Sequence, residues 1–189
     1  MQMDFDVVIV GLGPTGGTLA NLLAINNLSI LILENEASLY NLPRAVHFDD
    51  EVMRVFQTIG ISDSLSKKLI INKGTKFLDE NGKLLLDWPR PKIITENGWY
   101  PSYRFHQPDL ERSLRYKLKK FDKVVSLQNC EVFKTVNKKN FTEVHYKNTK
   151  INKINSVKSK YIIGCDGANS FIRNEMKTEL ENLGFEQRW

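Results

Sequence analysis

An α/β fold, with a parallel sheet at its centre and an antiparallel meander beside it, is predicted by three observations on this 189-residue sequence. The first is the run Phe5–Asp6–Val7–Val8–Ile9–Val10, which passes straight into Gly11–Leu12–Gly13–Pro14–Thr15–Gly16–Gly17. Apolar positions at helical spacing follow, Leu19, Leu22 and Leu23 with Ala20 and Ala24, so the order reads as strand, tight turn and helix. The second is a further buried-strand run, Leu28–Ser29–Ile30–Leu31–Ile32–Leu33, ending at Glu34. The third is the alternation of Glu131–Val136 and Phe141–Tyr146 around Asn137–Lys138–Lys139–Asn140, continued by Ile151–Ile154 and Val157–Ile163. That is the pattern of an antiparallel hairpin and meander.

The first element has the form of a Rossmann-like dinucleotide turn. Gly11 permits the tight turn, Gly13 lets a pyrophosphate approach the backbone, and Gly16 lets the helix pack closely. The helix start offers N–H groups and a positive dipole end to phosphates, and Pro14 and Thr15 suit its first turn. A glycine-rich turn alone is a weak signal. Glu34 strengthens it, because a carboxylate at a strand end about twenty residues past the last glycine is where adenosine ribose hydroxyls are held. The alternative for Glu34 is a solvated strand-end acid. A carboxylate there also repels a 2′-phosphate, so the group expected is FAD or NAD.

The length suits one sizeable core, or one domain with a piece of another. Hydrophobic residues make up 41% and charged residues 26%, as in ordinary globular chains. The net charge of +5 comes from lysines scattered among asparagines; no basic run is interleaved with aromatics, so a nucleic-acid partner is not expected. Cys130 and Cys165 lack metal-ligand spacing, which gives no metal site and no disulfide framework. Both are expected as small buried hydrophobes in a reducing cytosol. Met1–Asp4 leaves no room for a signal peptide, and no apolar stretch reaches membrane-spanning length; a cytoplasmic protein is expected.

Between these landmarks, Asp49 or Asp50 is placed to cap a helix carrying Val52, Met53, Val55, Phe56 and Ile59 and stopping at Gly60. Ser62–Leu69 fits a second short helix. Asn81–Gly82 between Thr75–Leu78 and Lys83–Asp87 is a strong hairpin signal, and Trp99, Tyr100, Tyr103 and Phe105 fall in a loop after it. His106–Gln107–Pro108 opens a helix to about Lys120, with Leu110, Leu114, Tyr116 or Lys117, and Leu118 as its narrow buried face. Val124–Leu127 is a short strand, and a helix with Phe171, Ile172 and Met176 follows the last strand.

Four segments in order, GLGPTGG, PRAVHFDDEVMRVFQTIGI, HQPDLE and YIIGCDGANSFIR, resemble the class A flavin-dependent aromatic hydroxylases along the whole chain. The resemblance implies that residues 1–189 are an incomplete FAD-binding domain, with 72–98 an excursion belonging to a substrate domain. It implies that Gly11, Gly13, Pro14, Thr15 and Gly16 hold the FAD pyrophosphate and Glu34 the adenosine ribose. Arg44 would reach the pyrophosphate, Gln107 the ribityl chain, and the backbone at Val132 the adenine. Asp166 and Gly167 match an Asp-Gly motif associated with flavin pyrophosphate and nicotinamide cofactor. Arg173 closes that motif, as a ligand or as a structural partner of Asp166.

The implied reaction is hydroxylation of a phenolic aromatic acid such as 3-(3-hydroxyphenyl)propionate with O₂, the electrons coming from NADH or NADPH by way of FAD. That belongs to aromatic compound catabolism. His47 and His106 are candidates to meet substrate or tune the flavin, with packing and hydrogen bonding as the alternative for each. His145 is expected at the surface. The chain departs from the family in lacking a later Gly-Asp motif, so it reads as an N-terminal fragment. An inactive remnant that binds only an adenine dinucleotide, or an NAD-dependent reductase domain, are the other readings. The CDGANSFIR segment argues against the reductase.

Overall fold

The computed structural model describes residues 3–42 and 44–186. Pro43, which opens the second family-like segment, and Gln187–Trp189 at the chain end lie outside them. In chain order the elements begin β1 (Phe5–Val10), α1 (Pro14–Ala24), β2 (Ile30–Leu33), β3 (His47–Asp49), α2 (Asp50–Ile59), α3 (Ser62–Ser66) and β4 (Ile70–Ile71). They continue β5 (Gly74–Leu78), β6 (Leu84–Pro89), β7 (Ser102–Arg104), α4 (Gln107–Leu118), β8 (Val124–Leu127) and β9 (Cys130–Asn137). The last are β10 (Thr142–Asn148), β11 (Lys153–Gly164) and α5 (Phe171–Glu175). They form two compact units, one of residues 1–13, 29–37 and 125–189, the other of residues 14–28 and 38–124.

The first unit is a six-stranded sheet in the order β8-β2-β1-β11-β10-β9. β1 is parallel to β2 and to β11, and β11 is antiparallel to β10, which is antiparallel to β9. One long strand therefore joins the two halves of the expected architecture: Ser159 is the register partner of Phe5 on one side and of Thr142 on the other. Val7 to Val10 and Ile30 to Leu33 are buried at both parities, as unbroken apolar runs require of central parallel strands. Val8, Val10, Leu31, Leu33, Val132, Val144, Tyr146 and Ile172 form one core on a single face.

The meander differs from expectation at Ile151, which lies in a turn and is exposed; a single strand starts at Lys153. Cys130 is buried as expected, whereas Cys165 is only half-buried, because it sits at the strand end beside a turn. His145 is half-buried, with its ring 6.3 Å from that of Phe133.

The second unit packs Phe48, Met53, Phe56, Ile59, Leu65, Tyr103, Leu110 and Leu114 into its own core. Asp49 caps α2, its carboxylate accepting from Val52 N–H at 3.0 Å, and the helix stops at Gly60. α4 buries Leu110, Leu114 and Leu118, but Tyr116 is exposed and the polar Gln107 and Glu111 are buried in its place. Asn21 on α1 donates to the Leu114 carbonyl of α4 at 3.2 Å.

The main departure in this unit is a three-stranded sheet, β3-β7-β4, where a cap and a loop were expected. His47 pairs with Arg104 and Phe48 with Tyr103, and Ile70 flanks Arg104 on the other side. Strands of two or three residues are too short to display a period. The expected hairpin is present as β5 and β6, a two-stranded sheet whose apolar residues Phe77, Leu78, Leu84, Leu85, Leu86 and Trp88 are exposed.

Candidate functional site

In the first unit the glycine turn is built against the end of β11. Gly11 has φ +98°, and a Cβ there would stand 2.3 Å from the Cys165 carbonyl oxygen and 3.1 Å from the Asp166 Cα. Only glycine satisfies both the left-handed backbone and that approach. The position of Gly13 is different, since a Cβ there would meet nothing within 4 Å. The backbone at the second glycine therefore faces open space, the opening that a bulky anion needs to reach main-chain N–H groups.

Glu34 fastens this turn. One carboxylate oxygen accepts the Leu12 N–H at 2.6 Å and the other the Glu36 N–H at 2.9 Å. Its own N–H donates to the Leu127 carbonyl and its carbonyl accepts from Cys130 N–H at 2.8 Å. Glu34 is half-buried and ties the turn to the ends of β8 and β9. Val132 lies two residues beyond Cys130, buried in the core and paired with Tyr146.

Asp166 follows β11 directly. Its carboxylate accepts from the Ser170 hydroxyl at 2.6 Å and the Ile172 N–H at 3.1 Å, and Ser170 accepts the Arg173 N–H at 3.0 Å. Of the two readings for Arg173, the structural partner of Asp166 is not what the geometry gives: the Arg173 guanidinium donates to the Ala168 carbonyl at 2.9 Å, and among the described residues it makes no ion pair with Asp166. Gly167 is exposed on the intervening turn. Burial, and then the neighbouring Asp166 charge, push the Cys165 thiol pKa up, so it stays protonated at neutral pH.

In the second unit Pro14 occupies the first position of α1, Thr15 is exposed and Gly16 is buried. No acidic residue lies in that first turn. Arg44 lies on a loop, its guanidinium 4.2 Å from the centre of the Tyr40 ring. Gln107 holds that loop from below: its side-chain oxygen accepts the Arg44 N–H at 2.9 Å and the Ala45 N–H at 2.8 Å. Its amide nitrogen donates to Glu111 at 2.8 Å. Glu111 went unassigned in sequence reasoning, although the Gln-Glu spacing of one helical turn on α4 could have signalled it.

The two histidines part company. His106 pairs with Asp109 at 3.1 Å, where Arg112 and then His106 hold the Asp109 carboxyl below its ordinary range. His47 is exposed and lines a cavity of about 630 Å³ with Arg104, Phe105, Phe77, Trp88 and Arg90. Neither arginine was singled out from sequence, because both sit in stretches read as loop. Among the described residues no group of three or more His, Cys, Asp or Glu could hold a metal ion, and no helix is long and apolar enough to cross a membrane.

Comparison with known proteins agrees with this geometry. Residues 4–188 match the family described as FAD binding domain. The chain is 33% identical over 189 residues to a "Probable NADH-specific resorcinol 4-hydroxylase" of Rhodococcus jostii, covering 97% of this chain and 34% of that protein. It is 32% identical over 188 residues to a 3-(3-hydroxy-phenyl)propionate/3-hydroxycinnamic acid hydroxylase of Mycolicibacterium gilvum, covering 100% of this chain and 32% of that protein. The chain thus spans about a third of the length of the curated relatives it matches.

Among solved structures, p-nitrophenol 4-monooxygenase PnpA from Pseudomonas putida superposes with a TM-score of 0.83 at 21% identity, over 93% of this chain and 44% of that one. The flavin-dependent monooxygenase PieE, in complex with FAD and substrate, gives 0.86 at 20% identity, over 95% and 33%. These likenesses establish the fold. The match across residues 4–188 establishes the lineage: the chain belongs to the FAD binding domain family.

Proposed function

We propose that the chain binds FAD as the flavin-binding part of an NAD(P)H-dependent hydroxylase of phenolic aromatic acids. The observation that carries the reading is the seating of Gly11 against Cys165 and Asp166, with Glu34 closed over the Leu12 N–H. It joins the two cofactor motifs into one wall, and the open space at Gly13 fits a pyrophosphate. Gly11, Gly13, Asp166 and Gly167 would hold the pyrophosphate, with Pro14, Thr15 and Gly16 offering the helix start. Glu34 has acceptor capacity beyond the two backbone bonds it makes and would take the ribose hydroxyls, and the Val132 backbone would meet adenine. Arg44 would reach the pyrophosphate as a planar donor fork, while Gln107 keeps its loop in place and turns its remaining amide hydrogen to the ribityl chain.

Bound FAD supplies the redox chemistry by which electrons from NADH or NADPH and one atom of O₂ reach an activated ring. The residues of this chain bind and orient; none is assigned as a general base. His47 lines the cavity and could meet substrate, whereas His106 is spoken for by Asp109. The named activities of the relatives support a phenolic substrate, and one relative's name favours NADH. We assign residues 1–189 to an incomplete FAD-binding domain, with 72–98 as an excursion belonging to a substrate domain. The two free cysteines favour a reducing, cytoplasmic setting.

The test is the visible absorption spectrum of the purified chain after loading with FAD and desalting. Flavin bands that shift on binding and stay with the protein support the reading. Equal retention of NAD and loss of FAD would turn it toward a nicotinamide-binding domain.

A further inference from the structure

We propose that the cavity of the second unit is a recognition site for a small aromatic carboxylate, with Arg104 as its anion anchor and Arg90 beside it. Four observations on that cavity carry this. Its volume of about 630 Å³ lies within the range of sites for small organic ligands. Three aromatic side chains, Phe77, Trp88 and Phe105, line it, the first two exposed by 48% and 58%. That exposed ring surface would be covered by a flat apolar body. Two guanidinium groups line the same space, and among the described residues neither forms an ion pair with a carboxylate. Asp87, the acid nearest in sequence to Arg90, pairs with Lys76 at 3.7 Å instead.

Arg104 is held for this task. Its Nε donates to the Asn72 side-chain oxygen at 3.3 Å and one terminal nitrogen to the Gly74 carbonyl at 3.4 Å. Asn72 is itself buried and donates to the Ser102 hydroxyl at 3.1 Å. The remaining donors of the fork are left for a ligand, and a planar fork whose orientation is preset matches a carboxylate in bidentate fashion. Arg90 lies 5.5 Å from the centre of the Trp88 ring, placing positive charge beside an aromatic face. The backbone beneath is tightly set, since a Cβ on Gly74 (φ +127°) would stand 2.4 Å from the Trp88 carbonyl oxygen. His47, the register partner of Arg104 on β3, brings a third nitrogen-bearing group to the wall. One anionic head and one aromatic body are what this set of groups recognises. The ligand assignment stands on the cavity; its meaning as the substrate's acid end rests on the hydroxylase reading above.

The experiment titrates the flavin-free chain with 3-phenylpropionate, 3-phenylpropan-1-ol and propionate, followed by calorimetry and by amide chemical shifts. Saturable binding of the aryl acid is expected, at least tenfold tighter than the alcohol or propionate. Shifts should centre on residues 72–77, 88–90 and 104–105. Arg104→Gln and, separately, Arg90→Gln should each weaken the acid several-fold and leave the alcohol unchanged. Among the described residues Arg90 makes no side-chain hydrogen bond or ion pair, so its variant keeps the test valid if Arg104→Gln disturbs folding. Equal affinity for acid and alcohol, or no loss in both variants, overturns the proposal. ADP binding in the same samples separates the two readings: aryl acid without ADP or FAD binding removes the flavin reading alone, and flavin without aryl acid removes this one.

Discussion

The side-chain oxygen of Gln107 accepts the backbone N–H of Arg44 at 2.9 Å, across a sequence separation of 63 residues. The same oxygen accepts the Ala45 N–H, and the amide nitrogen donates to Glu111, so the oxygen of this buried glutamine is committed to the arginine loop and its amide is held by α4. Gln107→Leu would leave two backbone donors without their acceptor and take one partner from the buried Glu111 carboxylate, which keeps Arg115 at 3.6 Å. It should cost about 1–3 kcal/mol in urea unfolding, and the Arg44 and Ala45 amides should exchange hydrogen much faster than in the parent. Unchanged exchange at those two amides would show that the loop is held by something else.

Gly11→Ala should destabilise the protein by at least about 2 kcal/mol, because it combines a positive φ with an impossible approach to the Cys165 carbonyl. Gly13→Ala, with open space around it, should fold almost normally yet weaken ADP. Thermal unfolding and ADP titration of the pair distinguish a turn that is structural at its first glycine and receptive at its second. Equal stability loss in both would contradict that division.

For Glu34→Ala, calorimetry with ADP should read a loss of roughly 1.5–3 kcal/mol, the range for a charge-assisted hydrogen bond. Glu34→Gln keeps the size of the side chain but has a single acceptor oxygen for the two N–H groups of Leu12 and Glu36. It should therefore lose stability even without ligand. An ADP affinity unchanged in Glu34→Ala would leave the residue a purely structural tie.

Acid should weaken the first unit through Asp6. The Lys160 ammonium at 2.8 Å, with the Ser29 N–H and hydroxyl, holds the Asp6 carboxyl well below its ordinary range. A carboxyl depressed in the folded state contributes fully above its unfolded pKa of about 3.9 and loses that contribution as pH falls toward the folded value. Stability measured by denaturant should thus decline below about pH 4, and Asp6→Asn should flatten part of that decline while lowering stability at neutral pH. A variant with the parent's full acid slope would remove Asp6 as its source.

The long apolar runs announced β1 and β2 because strands buried on both faces need no period, only hydrophobicity. The cap at Asp49, the stop at Gly60 and the Asn81–Gly82 hairpin were equally legible, since each depends on local backbone chemistry. What stayed hidden was chemistry settled by partners far along the chain. Arg104 is central in a sheet whose strands are two or three residues long. Ser102–Arg104 carries no more signal than the loop around it. Glu34 was placed correctly as a strand-end carboxylate, but its grip on Leu12 depends on how the turn curls. Whether Arg173 pairs with Asp166 is open in the sequence, because the motif gives its position and not its contacts. The Ser170 hydroxyl and the Ile172 N–H reach that carboxylate over a shorter path.

The partnership of β1 with β11 also sets an order of events during synthesis. The glycine turn is made long before its wall, the Cys165–Asp166 backbone, and the Asp6–Lys160 pair beside it closes a separation of 154 residues. Non-local closure of this kind delays folding, so until β11 has been made β1 is an apolar strand with one neighbour missing and its turn half-made. Stalled nascent chains that expose residues only through β10 should bind no ADP and should hold chaperones on the β1 segment, whereas chains exposing Asp166 should release them. The nucleotide turn is made well before β11 and becomes a structure only when β11 joins it.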